Sequence, residues 1–325
     1  MFNSTRTDKK RLLSKPFSDL RRDDNAETIL KTFSITFQQV QEQSPLAGSL
    51  LKLIACIDRQ GIPHELLAAS GLEGSDDEMT LADALSKLIN LALLTCLKKS
   101  EAYEMHSLVH VSVEAFLLAE DMNTAIEQTT KSLGKVLPDG GYEYREAWAV
   151  YLPHVTAWSG HVKAVSLDIA EIYFSMSRYL LYLGRYSDAE DKAKRVVKAR
   201  TDHEELGQEN LGTLACMANL AQTYNMQGRQ KEAEVLKVQV LEARRRVLGQ
   251  EHPDALTSMS NLAATYSKQG RQKEAEVLMG QVLEARRRVL GQEHPDTLTS
   301  MFNLATINSE QGRQKNRRPA FNLSG

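Results

Sequence analysis

The sequence predicts an all-α protein in two parts: a helical domain with one small hairpin, then a superhelical α–α solenoid. Two observations carry this prediction. The segment 228–256 returns at 270–298 with changes at only three of its 29 positions, 237/279, 238/280 and 255/297. Around it, apolar residues recur at the three- and four-residue spacing of a helix face, while Gly and Pro punctuate the chain at fixed intervals.

Taken in chain order, residues 1–31 read as a polar, basic linker. Arg6 to Arg22 holds seven basic residues against Asp8 and Asp19, which solvation explains better than a nuclear signal or a phosphate-binding arm. From 32 to 118 the pattern changes. Ser44 is expected to cap a helix with Pro45 in its first turn and Leu46, Leu50, Leu53, Ile54 and Ile57 as its buried stripe. Gly61-Ile62-Pro63 ends that helix, and a short second one runs through Leu66 and Leu67. Thr80 with Asp83 gives a capping-box start to a third helix carrying Leu81, Leu85, Leu88 and Ile89. LLTCLKK and AYEMH, parted by Ser100-Glu101, read as a hairpin, and a last helix starts near Ser107. Three helices, a hairpin and a helix describe a winged-helix domain. Residues 119–166 read as a helical spacer with Trp148 and Trp158 in its core.

The solenoid is expected over 167–311, with a period of 42 residues from Gly228 to Gly270 and on to Gly312. Each unit reads as two helices. In the first, Leu256, Met259, Leu262, Ala263 and Tyr266 share a face; in the second, Ala275, Leu278, Val282, Leu283 and Val289 lie inward. Gln-Gly-Arg at 269–271 breaks the pair, with Gly270 free to take the left-handed conformation. Leu-Gly-Gln-Glu-His-Pro-Asp at 290–296 closes the unit, because Pro295 opens a helix but cannot sit inside one. A degenerate earlier unit shows in LLYLGRYSDAE at 180–190. First helices are expected at 167–183, 211–227, 253–269 and 295–311, second helices after only the first three, and a disordered tail over 312–325.

The succession Asn-Leu-Ala-x-x-Tyr, Gln-Gly-Arg, Glu-Ala-Glu and Leu-Gly-x-x-His-Pro-Asp resembles the kinesin-light-chain variety of tetratricopeptide repeat. SPLAGSLLKLIACIDRQGIP and EMHSLVH resemble the winged-helix segment of fungal signalling NTPases of the NB-ARC class, which carry C-terminal tetratricopeptide repeats. That resemblance implies a role in fungal immune-type or self-recognition signalling. In the family, the equivalent of Met105-His106-Ser107 ends in Asp and its His senses a phosphate; here Ser107 replaces the acid. The 325 residues contain no GxxxxGK[ST], since Gly134-Lys135 is followed by Val136 and Thr129 stands in the first Gly position. His106 is therefore expected to be structural, and no nucleotide or other cofactor is expected.

Composition excludes several classes. Lys plus Arg number 40 against 42 Asp plus Glu, a net charge of −2, so no global excess points to nucleic acid. The third helix of the first domain, over 81–94, holds one Lys and one Asp, which leaves base edges without readers. Cys56, Cys96 and Cys216 form no metal spacing and fit a reducing, cytoplasmic setting. Apolar stretches are broken by charge, as Asp168, Glu171 and Arg178 break 164–183, so no membrane span is expected. His64-Glu65 lacks the second His of a zinc-protease motif, with Ala68 in its place. Arg244–Arg246 and Arg286–Arg288 near second-helix ends read as partners of the helix dipole. No catalytic constellation emerges, and the chain is expected not to be an enzyme.

What emerges is a binding surface. First helices line the concave wall of such a superhelix, and opposite their packing face stand Thr257, Asn261, Ala264 and Lys268. Asn219 and Asn303 repeat Asn261 at one-period intervals; carboxamides both donate to and accept from a peptide backbone. Asparagines in this place line the peptide groove in the family, which the resemblance carries onto these three positions. Gln222, Met226, Lys268, Thr306 and Glu310 are the variable neighbours expected to set specificity. The sequence thus points to an adaptor that binds a peptide or protein partner in its groove. A regulatory subunit working with a separate nucleotide-binding NTPase is the second reading, and a winged-helix DNA-binding regulator the third. The last first helix, with Leu298, Met301, Leu304, Ala305 and Ile307 and no second helix expected to cover them, is expected to self-associate.

Overall fold

The computed structural model describes residues 24–97, 101–117 and 119–317. The basic run from Arg6 to Arg22 lies outside them. The chain divides into two units, Met1–Ser175 and Met176–Gly325.

The first unit opens with α1 (Asp24–Gln43) and α2 (Pro45–Ala55). The helix α1 begins inside the stretch read as a polar linker, so that boundary is corrected from 32 to 24. Extended Ser44, followed by Pro45 at the first helical position, breaks the chain between the two helices without a side-chain cap. Gly48 lets them approach closely, since a Cβ there would stand 3.0 Å from the Gln41 Cα. Of the five expected stripe residues, Leu46, Leu50, Leu53 and Ile54 lie in α2 and Ile57 just past its end, and all are buried; Phe37 meets the ring of Phe116 edge-on with centroids 5.8 Å apart.

Beyond α2, Gly61 (φ +60°) turns the chain into β1 (Ile62–Pro63), followed by α3 (His64–Ala68) and α4 (Glu78–Asn90). The cap of α4 is Asp77, whose carboxylate accepts the Thr80 N–H at 2.9 Å. Thr80 is thus the capped residue rather than the cap, because the helix starts three residues earlier than the sequence pattern implied. β2 (Thr95–Leu97) and β3 (Ala102–Glu104) form the expected hairpin. β1 adds a third strand against β3, with Ile62 opposite Tyr103, and the sheet order is β1-β3-β2. α5 (Ser107–Phe116) is capped by His106, whose Nδ1 accepts the Leu108 N–H at 3.2 Å.

Residues 119–166 are built into this unit rather than leading away from it. α6 (Ala119–Val136) bonds through Ser132 Oγ to the Leu66 carbonyl, and Asp121 pairs with Lys52 at 2.7 Å. α7 (Arg145–Ser159) carries fully buried Trp148 and Trp158. Its His154, also buried, meets the carbonyls of Asp58 at 3.2 Å and Gly61 at 3.1 Å. Burial lowers the His154 pKa and outweighs the opposing pull of Asp58 and Gly61.

Helix α8 (Leu167–Tyr182) crosses into the second unit, where α9 (Tyr186–Thr201), α10 (Leu211–Met226), α11 (Gln230–Leu248), α12 (Pro253–Lys268), α13 (Gln272–Leu290) and α14 (Pro295–Arg317) follow. Each first-to-second turn has its glycine in the left-handed region: Gly184, Gly228 and Gly270 lie at φ +74°, +78° and +79°. His252 and His294 cap α12 and α14 through Nδ1, each 3.2 Å from the N–H of the following Asp, with Pro between. Leu256, Met259, Leu262 and Ala263 are buried as the face pattern requires, whereas Val289, expected inward, is exposed. Helix α14 runs through Gly312 to Arg317, which corrects the expected break and tail over 312–317. A glycine inside a continuing helix keeps ordinary helical dihedrals, so Gly312 does not act as a turn here.

Candidate functional site

The repeat motifs prove to be joints between neighbouring helix pairs of the second unit. Arg229 reaches back to Glu190 at 2.7 Å, pairs forward with Glu232 and lies 4.1 Å over the Tyr224 ring. Gln227 donates to the same Glu190 at 2.8 Å. One repeat on, Arg271 meets Glu234 and Glu274 at 2.6 Å each and Tyr266 at 3.9 Å, and Gln269 meets Glu234 at 2.8 Å. Burial by itself would raise the Glu190 carboxyl, but hydrogen bonds from Lys194, Arg229 and Gln227 prevail and hold it down at about 2. Arg244 and Arg286 are further joints. They donate to Ser258 and Ser300 at 2.9 Å each and to the carbonyls of Asp254 and Asp296, which is a more specific role than meeting the helix dipole.

Between these joints a cavity of about 220 Å³ opens, lined by Ala218 and Gln222 of α10, Lys237 and Val240 of α11, and Ser258 and Asn261 of α12. Two residues singled out from the sequence, Gln222 and Asn261, are therefore brought together. Both are exposed, as are Met226, Thr257, Ala264, Lys268 and Thr306. Asn225 links two of them, donating to Gln222 at 3.4 Å and accepting from Lys268 Nζ at 3.5 Å.

The carboxamide column is not uniform. Asn219 is half-buried and donates to Ser177 at 2.7 Å, so it ties α10 to α8 rather than facing solvent alone. Asn303 is half-buried, and Glu310 falls outside the described side chains. Thr257 accepts from Arg286 at 3.2 Å, which couples it to the joint. Thr306 spends its hydroxyl on the Phe302 carbonyl of its own helix at 3.0 Å.

Lys237 is the residue the sequence pattern missed, because it occupies an inward position that helix periodicity assigns to hydrocarbon. Only 7% exposed, it donates to Thr265 Oγ1 at 2.7 Å and to the Asn261 carbonyl at 3.3 Å. The signal that could have found it is its place among the three differences between near-identical repeats. Elsewhere, buried Cys56 caps the C-terminal end of α2 rather than lying in the helix, and its thiol is pushed up to about 12, first by burial, which keeps it from being a ready nucleophile. Among the described residues, no group of His, Cys, Asp and Glu could hold a metal, and no helix is long and apolar enough to cross a membrane.

Comparison with known proteins bears on the second unit most directly. The tetratricopeptide-repeat family matches 213–254 and 255–296. A nucleotide-binding leucine-rich repeat (NLR)-like protein of Hyaloscypha variabilis is 33% identical over 187 residues, 55% of this chain. The chain spans 18% of that relative's length. Among solved structures, nearly identical TPR-like repeats of a Podosopora anserina protein described as a kinesin light chain superpose with a TM-score of 0.45, at 23% identity, over 59% of this chain and 88% of that one. BtubC (BKLC) from P. vanneervenii gives a TM-score of 0.43 at 17% identity, over 63% of this chain and 85% of that one. The two helix pairs over 213–296, with their 42-residue period and left-handed glycine turns at Gly228 and Gly270, are tetratricopeptide repeats.

Proposed function

We propose that this protein is a non-catalytic adaptor that binds a peptide or protein partner across the exposed faces of α10 and α12. One observation carries the reading: successive first helices present Gln222 and Asn261 to a cavity that repeat packing leaves open. Exposed carboxamides and hydroxyls at helix spacing offer donors and acceptors to an extended backbone. Each such bond nets only about 0.5–1.5 kcal/mol, so affinity must also draw on the neighbours, Met226, Ala264 and Lys268 among them. Panning a random peptide library against the whole chain tests this. Enriched peptides should lose binding to a Gln222→Ala/Asn261→Ala variant of unchanged melting temperature; equal binding to that variant would overturn the assignment.

The likeness to an NLR-like protein supports a further part of the reading, in which the adaptor serves immune-type or self-recognition signalling in the cytoplasm. The order helix, strand, helix, helix, hairpin over 45–104 supports reading that segment as a winged helix, acting with a separate nucleotide-binding NTPase. A second reading, self-association, rests on Leu298, Met301 and Phe302, which α14 leaves 52%, 41% and 72% exposed. Sedimentation of the wild type should then show a concentration-dependent dimer that Phe302→Glu abolishes.

A further inference from the structure

The first unit holds a cavity that its own packing does not call for. It measures about 610 Å³, inside the ~300–1,000 Å³ typical of small-molecule sites. Three segments of that unit wall it: the turn after α3 with Ser70 and Gly71, the end of α6 with Lys131, Gly134 and Lys135, and the start of α8 with Asp168.

A helix glycine keeps it open. Glycine is among the poorest residues for a helix interior, yet Gly134 stands within α6. A Cβ there would meet nothing within 4 Å, so close packing does not demand the glycine either. Across the cavity, Gly71 turns the chain at φ +65° and lets Lys135 rest against the loop. A Cβ on Gly71 would stand 3.4 Å from Lys135 Nζ, which fixes where that ammonium sits.

Among the described residues, the side chains of Lys131, Lys135 and Asp168 have no ion-pair or hydrogen-bond partner, whereas Asp139 and Glu171, also in the wall, are engaged. Helix dipoles account for two of the three charges, since Lys135 lies in the last turn of α6 and Asp168 in the first turn of α8. They do not account for Lys131. It stands four residues before Lys135, on the same helix face, where two like charges destabilise the helix. Ser70 adds an orphan: it is 1% exposed and its hydroxyl has no hydrogen-bond partner. Buried hydroxyls are nearly always bonded, which marks this wall as suited to a polar contact the fold itself does not supply.

We infer that this cavity binds a small zwitterion of amino-acid type. Lys131 and Lys135 receive its carboxylate, Asp168 its ammonium, and Leu137, Pro138 and Ile172 its hydrocarbon. A lone anion fits less well, because the Asp168 carboxylate in the same wall repels it, and a lone cation meets two ammoniums. The zwitterion relieves the repulsion between the lysines and gives each free charge a partner. The site lies in the first unit alone, so it stands or falls independently of any partner on the repeats.

Saturation-transfer NMR on the whole chain tests it, with the free L-amino acids as probes. At least one should give a saturable signal at millimolar concentration. Its N-acetyl form, without the ammonium, and its amide, without the carboxylate, should each bind at least about tenfold more weakly. Gly134→Leu places a better helix former in open space, so its melting temperature should not fall while the signal disappears. Lys131→Met/Lys135→Met should cost the free amino acid about tenfold without weakening its amide. Both lysines are exposed, so this second variant keeps the fold even if Gly134→Leu does not. No signal from any amino acid overturns the inference, as does equal binding of the N-acetyl form or the amide. Unchanged binding to either folded variant places the ligand elsewhere and overturns this site.

Discussion

The two units hold their buried polar groups in opposite ways. In the first, each tie is used once, and most span far in sequence: His154 to Asp58 and Gly61 and Ser132 to Leu66, with Trp148 to Asp139 a local one. In the second, one latch appears twice: Arg229, Gln227 and Tyr224 return 42 residues on as Arg271, Gln269 and Tyr266, their acceptor Glu190 returns 44 residues on as Glu234, and variation is left to the side chains around it. A single-use core fails as a whole when one piece is removed. A repeated joint tolerates local change, so it can place a costly group such as Lys237 at one position without losing the array.

The comparison breaks most visibly at Trp148. Its fully buried ring and its 3.0 Å bond to the Asp139 carbonyl leave no room for relaxation. Trp148→Ala should destabilise the first unit by about 3–5 kcal/mol in urea titration, with the amides of 253–289 keeping their exchange protection. A loss under about 1 kcal/mol would show that the core is not single-use.

Lys237→Met sharpens the comparison from the other side, because it should stabilise on the order of 2 kcal/mol at pH 7. The folded lysine titrates near 8 and the unfolded one near 10.5, so below pH 8 the buried charge opposes folding in full. Between those values the unfolded chain binds more protons, and wild-type stability rises with pH. The advantage of Met should therefore shrink from pH 8 toward 10.5, as melting curves across that range would show.

Glu190→Gln probes one latch. The depressed carboxyl adds stability above its unfolded value of 4.5 and loses it as pH falls toward 2. The ion network is open to solvent, so the expected cost is about 1 kcal/mol at pH 7 and nothing near pH 2. Asn261→Ala should do least to folding, under about 0.5 kcal/mol in either direction, because its side chain is exposed.

These contrasts also explain what could be read from residues alone. The expected first helices at 211–227 and 253–269 stand within a residue of the observed ones, since Gly228, Gly270 and Pro253 punctuate the chain through backbone geometry that no tertiary contact overrides. The strand at Ile62–Pro63 was not legible, because two residues carry no period and their pairing with Tyr103 and Ala102 is set forty residues away. Asp77 was passed over as a cap in favour of Thr80, both being acceptable at that position. At the candidate site, the exposed stripe Thr257, Asn261, Ala264 and Lys268 followed from periodicity. The tie of Asn219 to Ser177 and the burial of Lys237 did not, because each depends on which neighbour a polar group meets across a joint.

The central claim, that partners bind across first helices, is tested most directly by site-specific photocrosslinking. A benzophenone amino acid at Ala264, exposed on α12, should capture the peptides selected on the intact chain. The same group at Val277, 63% exposed on α13, should not. Capture from Val277 with none from Ala264 would move the binding surface to the second helices and contradict the account.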